Sequence, residues 1–92
     1  MGQVTLSTTV QVVIPAARLR RKGVILDNQD SSIQTAVVER DGQTTSDGAR
    51  VGPGQRRFYN STDDGESRLQ RAFKMVAASG TPVIAFEEIF DE

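Results

Sequence analysis

Residues 15–32 read PAARLRRKGVILDNQDSS, and this stretch decides the fold. Four basic side chains, Arg18, Arg20, Arg21 and Lys22, lead directly into the apolar Val24, Ile25 and Leu26. Asp27, Asn28, Gln29 and Asp30 then stop the run, because short polar side chains bond the nearby backbone and favour turns. A continuous apolar run this short predicts a central strand buried on both faces. Residues 16–22 predict a crossing loop into it, and Gly23 cuts off any helical turn through Ala17, Arg18, Leu19 and Arg20.

Upstream, residues 3–14 alternate with period two. Val4, Leu6, Val10, Val12 and Ile14 fall on one face, Gln3, Thr5, Ser7, Thr9 and Gln11 on the other, and Val13 breaks the rule. The pattern predicts a half-buried strand, or two strands joined at Ser7-Thr8-Thr9, ended by Pro15. Downstream, residues 33–40 predict a strand with Ile33, Thr35 and Val37 on one face and Ala36 and Val38 on the other. Asp41-Gly42 signals a tight turn. Ala49-Arg50-Val51 suits a short edge strand, Gly52-Pro53-Gly54 a turn, and residues 55–60 a weakly alternating strand with Phe58 inward.

Residues 61–80 support two readings. Asp63 and Glu66 fit a capping box, and Leu69, Phe73, Val76 and Ala77 recur at helical spacing. From Arg71 the same segment reads as a strand, with Phe73, Met75 and Ala77 on one face and Lys74 on the other. Residues 82–90 predict a last strand, Val83 and Ala85 facing one way and Ile84 and Phe86 the other, its acidic end blunting an exposed edge. Six to eight short strands with regular polar turns indicate one antiparallel all-β domain over residues 1–92, a sandwich or a barrel.

Composition narrows the function. The 92 residues contain no Cys and no His. That removes disulfides, thiol nucleophiles, imidazole metal ligands and the commonest general base together, and it argues against an enzyme. No cofactor or metal is expected: Asp63, Asp64 and Glu66 lack the closely specified oxygen spacing of a calcium loop and suit a solvated turn or helix cap. The net charge of −1 gives no global field toward nucleic acid. Arg56-Arg57 beside Phe58-Tyr59 hints at such a surface, against which stand core packing for Phe58 and an edge role for Tyr59. No run reaches membrane-spanning length, and residues 1–14 lack the basic lead and apolar run of a signal peptide.

The order of motifs resembles a known group. Pro15-Ala16-Ala17, then Arg21-Lys22-Gly23-Val24-Ile25-Leu26, Asn28 and Ser31-Ser32 form its first part. Residues 44–48 with Gly52-Pro53-Gly54 form the second, and residues 72–78 with Ser79-Gly80-Thr81-Pro82 and an acidic close form the third. This order is similar to small β-sandwich virion proteins of tailed bacteriophages, capsid decoration or head-fibre-like. Two segments depart from it: residues 61–71 are longer, and residues 41–50 more charged, than the pattern has. The resemblance implies a jelly-roll type sandwich that follows the strand reading of residues 71–78, with a short helix near 64–78 as the alternative. It implies a non-enzymatic decoration (cement) subunit, a homotrimer docked on the major capsid protein at the virion surface. The alternatives are a receptor- or glycan-binding virion tip module and a nucleic-acid-binding β-barrel.

Under that reading Arg18, Arg20, Arg21 and Lys22 are candidates for docking on an acidic capsid groove, where charge would give orientation and association rate. The plainer reading is a solvated loop of local ion pairs worth ~0–1 kcal/mol each. Asp63, Asp64, Glu66 and Arg68 are candidate loop contacts, on one of the two long loops.

Overall fold

The computed structural model describes residues 2–17, 20–60 and 64–90, apart from the side chains of residues 66 and 67. In chain order the elements are β1 (Gly2–Thr5), β2 (Gln11–Ile14), β3 (Arg21–Asn28), β4 (Thr35–Val38), β5 (Ala49–Val51), β6 (Arg56–Asn60), α1 (Glu66–Gln70), β7 (Phe73–Ala77) and β8 (Val83–Phe90). They form two four-stranded sheets, β1-β8-β3-β6 and β2-β7-β4-β5. All neighbours are antiparallel. The first strand pairs with the last, the second with the seventh, the third with the sixth and the fourth with the fifth. The chain is thus an all-β sandwich made as one long hairpin rolled over on itself.

Strand alternation builds the core between the sheets. Val24 and Leu26 of β3 point inward with Tyr59 of β6 and Ile84 of β8, and meet Ile14, Val37, Val51, Phe73, Met75 and Ala77 of the second sheet. Leu6 and Leu69 close the ends. Burying each large aliphatic side chain contributes roughly 1.5–3 kcal/mol. A smaller cluster, Ala36, Val38, Val76 and Val10, lies on the outer side of the second sheet. The polar loop over residues 39–48 is tied by Gln43, whose Oε1 accepts from the Glu39 and Arg40 amides at 2.8 and 2.7 Å. Gly48 lies hard against the Val37 carbonyl, so any Cβ there collides with backbone.

Several sequence expectations change. Residues 3–14 take the two-strand alternative, in different sheets, but a register shift between Val12 and Ile14 turns Val13 inward and leaves Val12 exposed. β3 is central, but Ile25 and Asp27 on its outer side are only half-buried, so it is not covered on both faces. Phe58 and Tyr59 exchange roles: Phe58 is 51% exposed and Tyr59 5%. The register explains it, since Tyr59 lies opposite inward-facing Val24 and Phe58 opposite Ile25. β8 is flanked by β1 and β3 over Ile84, Ala85 and Phe86, while its acidic end from Glu87 pairs with β3 alone among the described residues. Within residues 66–77 the strand reading holds as β7, with Phe73, Met75 and Ala77 buried, and the one-turn helix α1 precedes it. The turn starts after Gly65, at φ 84°, without a side-chain cap, while Asp63 lies outside the described residues.

Candidate functional site

The basic block divides at the start of β3. Arg20 and Lys22 are exposed, and Arg18 lies outside the described residues. Arg21 is 1% exposed and is not a docking residue. A register shift between Arg21 and Gly23 turns its side chain inward, against the alternation that places Ile25 and Asp27 on the outer side, and the segments at that end supply the acceptors its planar fork requires. Its Nε donates to the Leu69 carbonyl at 2.6 Å, Nη1 to the Pro15 carbonyl and Glu88 Oε2 at 3.1 Å each, and Nη2 to the Arg71 carbonyl at 2.7 Å. The Gln70 amide clasps the Arg21 backbone in both directions, at 3.0 and 2.9 Å. The guanidinium also lies 5.3 Å from the Phe73 ring centroid.

The candidate loop contacts divide as well. Asp63 and the Glu66 side chain lie outside the described residues. The Asp64 carboxylate accepts the Asn60 amide at 3.0 Å. Arg68 is no exposed loop contact: it is 8% exposed, carried inward by α1 and laid 4.1 Å over the Phe73 centroid and 5.7 Å from that of Tyr59. Tyr59 and Phe73 meet edge to face at 5.0 Å. Burial pushes the Arg68 guanidinium below its ordinary pKa, and the Glu39 carboxylate opposes that shift.

Arg68 and Asp64 come together at the mouth of a cleft of about 440 Å³, which Glu39, Asp47, Arg57 and Arg71 also line. Glu39 divides its carboxylate, with Oε1 3.3 Å from Arg68 Nε and Oε2 3.6 Å from Arg71 Nη1. Asp47 accepts the Thr44 amide at 2.7 Å and its hydroxyl at 3.1 Å, which holds its carboxyl below the usual range. Arg57 stacks 4.9 Å from the Tyr59 centroid. Arg68 Nη1 donates to the Ala72 carbonyl at 3.3 Å, whereas the buried Nη2 has no hydrogen-bond partner among the described residues.

The sequence reading found Arg68 and Asp64 but not Glu39, Asp47 or Arg71, which belong to loops distant in the chain. It also singled out Arg57 and Tyr59, but only as part of an Arg56-Arg57-Phe58-Tyr59 surface. Among the described residues no group of three or more carboxylates is placed to hold a metal ion, and no helix is long and apolar enough to cross a membrane. No family model, no curated protein and no solved structure matches this chain.

Proposed function

We propose that this chain is a non-enzymatic structural subunit of a tailed-phage virion, a capsid decoration protein that associates with copies of itself and docks on the major capsid protein. The order of its motifs supports the virion reading, and the rolled-hairpin strand order fits the jelly-roll type that the resemblance implies. The observation that carries self-association is the outer face of the first sheet. There Phe58, Ile25 and Glu87 stand in one row, with Arg56, Asp27 and Ala85 in another. Phe58 and Ile89 lean over Gly23, where a Cβ would meet them at 3.1 and 3.2 Å. An apolar centre flanked by Arg56, Asp27 and Glu87 offers a second copy both burial and opposite charges that fix orientation.

Stable association needs roughly 1,000 Å² of buried surface, so neighbouring loops join the contact. Among the described residues of the basic block, Arg20 and Lys22 are exposed and suit capsid docking. Sedimentation of the purified chain at micromolar concentration is expected to give an oligomer that Phe58→Asp reduces to monomer. Co-sedimentation with empty capsids is expected to survive at physiological salt. A wild-type monomer would remove the self-association, and failure to co-sediment would remove the capsid role.

A further inference from the structure

The side of an arginine that carries Nε and Nη2 presents two parallel N–H donors, a fork matched to two oxygens of one carboxylate or phosphate. In Arg68 this fork is half filled. Glu39 reaches Nε at 3.3 Å and spends its other oxygen on Arg71 at 3.6 Å, leaving Nη2 buried without a hydrogen-bond partner among the described residues. Buried polar groups are nearly always paired, and an unpaired guanidinium nitrogen calls for a reason. The aromatic faces of Phe73 and Tyr59 stabilise its charge but accept no conventional hydrogen bond along the fork. Glu39, tethered to the end of β4, fits the two arginines imperfectly, whereas an untethered oxyanion can align with both donors of Arg68.

The surroundings suit such a ligand. Arg57 and Arg71 flank the opening, and Arg57 has no carboxylate partner among the described residues. The other two acids are already engaged, Asp47 by Thr44 and Asp64 by the Asn60 amide. The cleft volume of about 440 Å³ exceeds what a bare ion needs and falls in the range of small-molecule sites. We propose that this cleft binds a small molecule through one oxyanion group, a carboxylate or a phosphate, which displaces Glu39 from the Nε–Nη2 edge of Arg68. Arg57 and Arg71 hold the remaining anionic charge, and the displaced Glu39 swings toward solvent, where it is already half exposed. The site is independent of the virion role and stands or falls separately.

The test is a titration of the full chain with inorganic phosphate and, separately, with acetate, followed by amide and arginine Nε–H resonances. Chloride holds the ionic strength constant. The expected result is a saturable shift of the Arg68 Nε–H and Gly48 signals, and the anion that saturates first identifies the oxyanion class. Glu39→Gln removes the internal competitor and is expected to tighten binding by about tenfold, while Arg57→Gln and Arg71→Gln each weaken it by about tenfold. Both arginines are surface positions, so these variants keep the test open should Glu39→Gln disturb the fold. Absence of a saturable shift up to about 50 mM of either anion overturns the proposal. So does a folded Glu39→Gln chain that binds no more tightly than wild type.

Discussion

Two buried arginines share one aromatic ring and differ in how they are satisfied. Arg21 and Arg68 both lie against Phe73, at 5.3 and 4.1 Å from its centroid. Arg21 sends its three nitrogens to three backbone carbonyls and one carboxylate, all within 3.1 Å. Among the described residues Arg68 has one carbonyl at 3.3 Å, one loosely held carboxylate and a nitrogen with no hydrogen bond. Burial of a guanidinium costs heavily in either case, and only dense hydrogen bonding offsets it. The difference marks Arg21 as part of the frame and Arg68 as a group held in reserve at the cleft.

Removing Arg21 is the strongest way to break this contrast. Arg21→Met leaves the Leu69, Pro15 and Arg71 carbonyls and the Glu88 carboxylate without their donor, and is expected to cost about 3–5 kcal/mol in urea unfolding. Arg68→Met keeps the packing on Phe73 and Tyr59 and removes an incompletely paired charge, so its expected cost is within about 1 kcal/mol of zero. Equal losses in the two variants would erase the distinction.

The smallest effect comes from acid. Thr44 holds the Asp47 carboxyl below its ordinary 3.8, so Asp47 contributes stability that is full above that value and is lost as pH falls through the lower folded one. The Thr44 amide resonance is expected to titrate with a midpoint below 3.8, loosening the cleft wall. Three of the four acceptors of the Arg21 side chain are carbonyls, which do not titrate, so the Gln70 and Leu69 resonances are expected to move less than that of Thr44 there. Movement of both sets together would merge the two regions.

Much of the frame is legible in residues 15–32. The apolar run over residues 24–26 became the central strand, and the polar run after it became a side-chain-tied turn, with Asp30 accepting the Ser32 and Ile33 amides at 2.8 and 2.9 Å. The opposite faces of Ala36 and Val37 and of Ile84 and Ala85 follow from period two and are seen in the strands. Alternation failed where register, not sequence, decides the side. A bulge reversed Val12 and Val13, and pairing with β3 put Tyr59 inside in place of Phe58. The cleft was hidden for a related reason. Glu39, Asp47, Arg57 and Arg71 are ordinary charged residues on separate connections, and only the closed sandwich brings them to one mouth. Arg21 misled for the opposite reason: in a run of four bases nothing local says which one the strand turns inward.

The clasp around Arg21 also bears on how the chain assembles. Its side chain and backbone bond partners 48 to 50 residues away in the Leu69–Arg71 segment and 67 residues away at Glu88. A five-residue helix does not persist alone in water, since nucleating it costs more than so few bonds return. α1 therefore depends on tertiary contacts, and those to Arg21 are available only once β3 is in place. Contacts of such long sequence separation form only after large loops have closed, which slows them. The end of the sandwich at α1 is therefore expected to order late in refolding, with the cleft beside Arg68, and pulse-labelled exchange of the Gln70 amide would read it.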